Sequence, residues 1–584
     1  MCGIHFSLSH KNFFSPNEQL EKLLNNRGPD YISHERMQVT KNNGDQFYIS
    51  FTSAVLGLRG DQIICQPFKD KVHSSIFCWN GEAWKIGTDL LADNDGKIIF
   101  DLLMEASSIQ STSKASSEVL NVLRSISGPF AFIFYDHIHK QLYFGRDRLG
   151  RRSLLYKEKK DHTLLELCSI SDPSDGPWTE VETNGIFQLS LTEDAPLATY
   201  CPLDSAQSSK LSTGLQIHHW IFNTDSNSFR ESNLGKFNMN IPTKYYRLDQ
   251  DAKSVEALHH LLYKSLQLRI SDIPPPSRIK KSSNVRVAIL FSGGLDCTVL
   301  ARLANDILPH DQEIDLLNVA FENPRVVQAA KINMFSKEDN MLTVPEDWPY
   351  ESCPDRITGR KSLTELQKVC PDRTWRFVAI NIPYSETVAH RQILIDLIHP
   401  HNTEMDLSIA YALYFASRGC GLASVNKEPI PKTYLTPARV LLSGFGADEL
   451  FGGYTRHSTA FCRMGLSGLL DELKLDFDRL GKRNLGRDDR VISYWGKEAR
   501  FPFLDEELVR WAIEIPVLEK CGFWSQERSE KLVLDLEPGK LLLRLLSYKL
   551  GMVQLSKEKK RAIQFGARTA KMGTGKVKGT TPIK

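Results

Sequence analysis

The sequence carries very little net charge for its size. Seventy acidic residues nearly cancel 73 Lys and Arg, leaving +3 over 584 residues. No basic or acidic field therefore marks nucleic acid or an anionic membrane as a main partner. The 11 cysteines contain no C-x-x-C pair, which removes the usual zinc and dithiol spacings, and the odd count argues against a complete disulfide framework. A reducing, cytoplasmic setting is the expectation. No run approaches the roughly 18 apolar residues of a spanning helix, and the start shows no basic segment followed by a long apolar one, so neither membrane span nor secretory leader is expected. An internal repeat is missing, and so is the G-x-x-x-x-G-K-[ST] phosphate loop.

What is present is the composition of a soluble globular chain, 41% hydrophobic and 24% charged, whose length suggests about three to four units of ordinary size. Residues 2–190 read as short alternating strands between turn residues, with examples at Gln46–Leu58, Ser75–Trp79, Pro129–Tyr135 and Gln141–Phe144. Residues 191–250 read as connector, rich in Ser, Thr, Pro and Ala as far as 215. The period then changes. Val255–Ile270 has helical spacing, and Val285–Phe291 is an apolar run suited to a buried parallel strand. Strand-like Asp315–Phe321 and Ala438–Ser443 alternate with helix-like Leu407–Arg418, Leu504–Ile513 and Lys540–Leu550. Residues 251–570 are thus expected to form a doubly wound α/β domain. The basic, Gly/Thr-rich 571–584 reads as a disordered tail.

Two glycine loops carry the chemistry of this second half. VRVAILF-SGGLDC-TVLARL is strand, turn, helix, and Gly293 and Gly294 would let backbone N–H groups approach a phosphate, with a hydroxyl from Ser292. Tight packing at a strand–helix turn is the other reading of the glycines. ARVLLSGFGADELFGGY (438–454) is a second strand ending in Ser-Gly. Ligands of open α/β sheets sit beyond the carboxyl ends of strands, so both loops are expected at one crevice. Asp296 and Asp448 would then offer hard oxygens to Mg²⁺, the other reading of Asp448 being a helix N-terminal cap.

These motifs identify a resemblance. SGGLD resembles the pyrophosphate loop of the N-type ATP pyrophosphatases. Together with SGFGADELFGGY, WGKEARFPFLD (495–505) and PGKLLLRLL (538–546), it is similar to the synthetase domain of asparagine synthetases. MCGI, RGPD (27–30), LRGDQIICQPF (58–68), WNGE (79–82), NDGKII (94–99) and GRDRLGRRSLLY (145–156) resemble, in the same order, a class II glutamine amidotransferase. PDRITGRKSLTELQ (354–367), NLGRDDRVISYWGKEARFPFLD (484–505) and KRAIQFGARTAKM (560–572) narrow the likeness to the asparagine synthetase domain-containing branch. The resemblance implies an αββα N-terminal nucleophile sandwich followed by an α/β adenine-nucleotide α-hydrolase-like domain.

It also implies roles. Cys2, made terminal by loss of Met1, would attack the glutamine amide with its own α-amine as base. Asn80 and the Gly81 N–H would hold the oxyanion. Arg59, Ile63, Asn80, Gly81, Glu82 and Asp95 would bind glutamine, with Arg59 on its α-carboxylate and Asp95 on its α-ammonium. Taken singly, Asn80-Gly81 is also a common hairpin turn pair. Leu290, Ser292, Gly293, Gly294, Asp296, Ser443 and Gly444 would contact ATP, backbone near 319–321 the adenine, and Asp296 and Asp448 the Mg²⁺. The implied reaction converts aspartate, glutamine and ATP to asparagine, glutamate, AMP and diphosphate, with small-molecule substrates as partners. A homodimer is compatible with the resemblance, though no patch marks one.

Three positions depart from the asparagine synthetase pattern. Phe445 stands where that family has a glutamate associated with adenylate formation, and losing a general base costs about a hundred- to ten-thousand-fold in rate. The family's lysine falls on Ala562, with Lys560 and Arg561 within two residues. Cys297 replaces a serine hydroxyl. A degenerate glutamine- or ATP-binding sensor, or an amidotransferase with another acid acceptor, is the alternative that Phe445 raises.

Overall fold

Alternation of apolar and polar residues turns one face of each early strand inward. In Gly3–Ser9 the side chains of Ile4, Phe6 and Leu8 are fully buried and meet Phe47, Ile49 and Phe51 of Gln46–Val55. These strands lie in an antiparallel sheet ordered Thr179–Glu180, Leu155–Glu158, Leu164–Cys168, Gly3–Ser9, Gln46–Val55, Tyr31–Thr40. A second antiparallel sheet runs Leu215–His219, Gly185–Ser190, Gln141–Arg146, Phe130–Asp136, Ile76–Gly81, Phe68–Lys69. Its Ile76, Cys78, Ile133 and Phe144 join the core shared with the first sheet. Phe77, Trp79, Phe132 and Phe134 instead cluster with Ile99 and Leu103 of helix Asp95–Ser107 and with Val119 and Leu123 of helix Thr112–Ser125. Helix Glu18–Arg27 packs on the first sheet. Each fully buried large side chain contributes about 1.5–3 kcal/mol, and the result is the αββα sandwich expected from the sequence.

The computed structural model describes residues 2–40, 44–60, 62–158, 164–192, 215–220, 234–244, 246, 248–275, 284–335, 346–425, 431–524, 536–573 and 578–583. They form two compact units, Met1–Leu234 with Arg479–Gly496, and Gly235–Asp478 with Lys497–Lys584. Length alone suggested more units; a four-layer sandwich and a large sheet with its helices each take more chain than an average domain. Much of the expected connector, 193–214 and 221–233, lies outside the described residues. Within it, Leu215–His219 is an edge strand of the first unit, paired to Gly185–Ser190. Segment 479–496, read from sequence as part of the second domain, groups with the first unit. Its helix Leu485–Ser493 buries Arg487, Asp488, Asp489 and Arg490, and buried charges require partners; theirs include Arg27, Arg152 and Glu180 of that unit.

The second unit is built on a seven-stranded sheet ordered Lys432–Leu435, Cys420–Val425, Trp375–Ile382, Ile314–Phe321, Val287–Leu290, Val440–Leu442, Glu498–Arg500. Neighbours are parallel from Trp375–Ile382 to Glu498–Arg500, and the other two strands add an antiparallel edge. The chain winds from Val287–Leu290 first to one side and then to the other, so the order reverses between Val287–Leu290 and Val440–Leu442. A ligand crevice opens where such a reversal occurs. Among the described residues, no helix is long and apolar enough to cross a membrane.

The tail expected to be disordered is paired over 578–583. Glu404 N–H donates to Thr581 O at 3.0 Å, Met405 N–H to Gly579 O at 2.9 Å, and Ile583 N–H to Asn402 O at 2.6 Å. The first N–H groups of a helix have no partner within it, and the tail supplies carbonyls to the start of helix Glu404–Arg418.

Candidate functional site

Cys2 immediately precedes the strand Gly3–Ser9, and the fixed end of that strand fixes the cysteine. Ile4 N–H donates to Ser169 Oγ at 3.0 Å, and Ser169 N–H returns a bond to Ile4 O. The Cys2 carbonyl accepts from Arg27 Nε at 3.2 Å. Farther along RGPD, Asp30 accepts the Gly57 N–H at 2.9 Å, holding the start of the loop that leads to Arg59.

Cys2, Arg59, Gly81, Glu82 and Asp95 line one cleft, together with Gln62, Ile64 and Gln66. Ile63 is not among its walls and is 46% exposed. Asn80 and Gly81 end a strand rather than form a hairpin turn, paired to Ala131 and Phe130. Asn80 is fully buried, and neither amide atom of its side chain has a hydrogen-bond partner among the described residues. Buried polar groups are rarely left so; Asn80, unlike Gly81, is not among the residues that line the cleft.

Arg59 is braced by Glu82, Nε to Oε2 at 2.9 Å, and its guanidinium lies 5.4 Å from the Trp84 ring centroid. Asp95 sits at the start of helix Asp95–Ser107, where Asn94 caps Lys97 N–H. Its Oδ2 accepts from Trp79 Nε1 at 2.9 Å and from Ala83 N–H at 2.8 Å. Burial pushes the Asp95 carboxyl up despite Arg59 nearby.

The two glycine loops of the second unit meet as expected. A Cβ on Gly444 would stand 2.7 Å from Asp296 Cβ, so the approach requires glycine. Gly293 has φ +77°, and a Cβ there would lie 2.4 Å from Gly359 Cα. The loops also share an internal brace, since Gly294 N–H donates to Ser292 Oγ at 3.2 Å and Phe445 N–H to Ser443 Oγ at 3.3 Å. Leu290 ends its strand opposite Leu317. Of the backbone expected to hold adenine, Phe321 N–H is already given to Ala567 O at 3.2 Å. Cys297 is buried, its Sγ 3.4 Å from Gly294 O, and burial pushes its thiol up.

Asp296 and Asp448 converge on one ammonium. Lys540 Nζ lies 2.7 and 2.8 Å from the two Asp296 oxygens and 2.9 Å from Asp448 Oδ1. Lys560, two residues before Ala562, pairs with Asp448 Oδ2. Arg561 turns to Thr358 Oγ1 at 2.7 Å. Burial raises the Asp448 carboxyl, but Lys540 and Lys560 outweigh it and hold the group below its usual range. Lys540 adopts φ +56°, a conformation that costs a non-glycine residue about 1–2 kcal/mol and that is found at functional positions.

Glu449 is buried beside this cluster and accepts from the Tyr454 hydroxyl. Burial, with Asp448 adding, raises it to about 7. A carboxyl raised in the folded state costs nothing below its unfolded pKa; the penalty grows as pH climbs to the folded value and then stays. At 1.36 kcal/mol per unit, Glu449→Gln is expected to stabilise the chain by about 3 kcal/mol at pH 8 and by almost nothing at pH 4.5. Urea unfolding at the two pH values checks this, and an equal effect at both would rule it out.

Sequence reasoning missed the support under the first loop. Ser362 Oγ donates to Gly293 O at 2.6 Å, and Asn318 Nδ2 to Phe291 O at 2.8 Å, with Arg356 Nε on Asn318 Oδ1 at 2.7 Å. The one available signal was Gly359, a glycine inside helix Pro354–Val369, since such a residue marks a close approach.

A family model described as a glutamine amidotransferase domain matches residues 65–169, and one described as asparagine synthase matches 434–471 and 465–544. Asparagine synthetase domain-containing protein 1 of Mus musculus is 34% identical, over 98% of this chain and 97% of its own. That of Homo sapiens is also 34% identical, over 98% and 95%. An asparagine synthetase domain-containing protein of Saccharomyces cerevisiae is 33% identical, over 94% and 87%.

Proposed function

Since this chain belongs to the asparagine synthetase domain-containing proteins, within the asparagine synthase-like glutamine amidotransferases, we propose that it hydrolyses glutamine at Cys2 and uses the ammonia to amidate an acid activated by ATP, with aspartate as the first acceptor. The observation that carries this reading is the meeting of Asp296 and Asp448 on Lys540, at the ends of two adjacent parallel strands.

At the first site Cys2, as terminal residue, passes its thiol proton to its own α-amine. The sulfur attacks the glutamine side-chain carbonyl, ammonia leaves, and water releases glutamate from the thioester. Asn80 Nδ2 donates to the oxyanion; a donor of this kind is worth about 3–4 kcal/mol. Arg59, braced by Glu82, holds the substrate α-carboxylate, and Asp95 takes the α-ammonium.

At the second site the acid's carboxylate attacks the α-phosphorus of ATP, diphosphate leaves, and ammonia then displaces AMP. Ser292, Gly293, Gly294, Ser443 and Gly444 hold the nucleotide, with Leu290 beneath. Lys540 and Lys560 meet the departing diphosphate. Mg²⁺ takes one or two carboxylates plus phosphate oxygens; Asp296 and Asp448 would hold it once Lys540, which engages their oxygens in this structure, turns to the diphosphate. Bound there, Mg²⁺ neutralises phosphate charge.

A second reading has one observation behind it. Phe445 occupies the family's glutamate position and packs edge-on to Phe501, ring centroids 6.2 Å apart, so it serves packing rather than proton transfer. Diphosphate release with a panel of carboxylic acids separates the readings. A native chain that releases diphosphate with aspartate at least tenfold above background supports synthesis. Release with a different acid changes the acceptor. A silent native chain that becomes active as Phe445→Glu establishes the degenerate protein instead.

A further inference from the structure

Arg27 is the last residue of helix Glu18–Arg27 and is fully buried. Its guanidinium divides among three acceptors: Nε to Cys2 O at 3.2 Å, one terminal nitrogen to Ser493 Oγ at 2.7 Å, the other to Asp489 Oδ2 at 2.7 Å. A buried cation requires an anion, and the one paired with Arg27 is Asp489, 462 residues later in the sequence. Asp489 is itself fully buried and accepts the Ser153 N–H at 3.2 Å, with Arg152 at 3.7 Å. Arg490 locks the same helix down through Glu180 and Ser153, at 2.7 and 2.8 Å.

The atom at the other end of this chain of contacts is the Cys2 carbonyl. That carbonyl shares one carbon with the α-amine and the thiol-bearing group. Pinning it fixes the plane about which base and nucleophile are arranged. We propose that Asp489 is a positioning residue for the Cys2 nucleophile, acting through the Arg27 guanidinium. This rests on the reading that Cys2 attacks glutamine. It gives a catalytic reason for segment 479–496 to fold with the first unit: the helix supplies the counter-charge that the N-terminal sequence leaves out.

The test uses the full-length chain and glutamine hydrolysis. Displacement of a reacting group by about 1 Å costs on the order of a hundredfold. Asp489→Asn is therefore expected to lower kcat about 10–100-fold, with KM for glutamine within about threefold. Because Asp489 acts through Arg27, adding Asp489→Asn to Arg27→Met should cost nothing further in kcat. A folded Asp489→Asn chain with native kcat overturns the proposal, as do losses that multiply in the double variant. If Asp489→Asn fails to fold, Ser493→Ala removes a milder contact of Arg27. It should lower kcat about three- to tenfold, and an unchanged kcat there counts against the proposal.

If the native chain hydrolyses no glutamine, the reading of Cys2 fails separately. The pH profile of Cys2 alkylation by iodoacetamide, followed by peptide mass spectrometry, then decides the inference. Stripping Arg27 of its counter-charge should move the midpoint down by about 0.5–1 unit, and an unmoved midpoint overturns it.

Discussion

Cys2→Ala is expected to abolish glutamine hydrolysis by about four or more orders of magnitude, as loss of a covalent nucleophile does elsewhere. The same variant should still release AMP and diphosphate when free ammonia replaces glutamine. The split follows from the layout of the molecule. Cys2, Arg59, Gly81, Glu82 and Asp95 share a cleft in the first unit, whereas the glycine loops, Asp296, Asp448 and Lys540 belong to the second. A side chain as small and buried as Cys2, 8% exposed, is replaced by alanine with little disturbance. Glutamate release can be followed alongside the thermal midpoint, so a failure to fold is distinguished from a failure of chemistry. Retention of glutaminase activity would remove Cys2 from its assigned role, and loss of the ammonia-dependent reaction as well would show that Cys2 serves the second site.

Lys540→Met is the second large effect expected. Lys540 is 2% exposed and binds two carboxylates at once. Methionine keeps the unbranched shape of the side chain, one atom shorter, and removes the charge, leaving Asp296 and Asp448 to repel each other with Lys560 still paired to Asp448. Removing one partner from a buried ion pair costs about 3–5 kcal/mol. The loss should be full at pH 7.5, still nearly full at pH 4, and shrink only below about pH 4, the ordinary aspartate range, toward the depressed folded value. An aspartate held low in the folded state stabilises only above its unfolded pKa, and that contribution fades as acid protonates it. Millimolar Mg²⁺ should restore part of the stability by taking the place of the ammonium between the same oxygens. Diphosphate release should fall at least about a hundredfold, because the charge that meets the leaving group is gone. A Lys540→Met chain as stable as the native one, indifferent to Mg²⁺ and still active, would mean that the cluster is neither a metal nor a diphosphate site.

Much of this was legible in the residues, for reasons that differ from place to place. Strands such as Phe130–Asp136 and Ile314–Phe321 were read to within a residue or so, because apolar alternation and apolar runs are local signals. The meeting of the two Ser-Gly loops was also legible, since strand order in a doubly wound sheet places them together. What escaped was non-local. Lys540 stood inside a quoted motif with no role, because nothing in PGKLLLRLL shows that its backbone turns left-handed and aims the ammonium at Asp296. Lys560 pairs with Asp448 from two residues before Ala562, a contact that a long flexible side chain makes and alignment does not report. Asp489 lies in the charged run RDDR, read in the sequence only as part of a resemblance motif, and the run's partners Arg27 and Glu180 are hundreds of residues away in the chain. The tail looked disordered by composition, yet it contributes backbone carbonyls, which composition does not report.

The most direct measurement is the stoichiometry of a single reaction containing the full-length chain, glutamine, ATP, Mg²⁺ and aspartate, with glutamate, AMP and asparagine quantified together. Equal molar amounts of the three are expected, all abolished by Cys2→Ala and the last two restored by ammonia. Glutamate formed without AMP, or AMP formed without any amide product, would contradict a coupled amidotransferase.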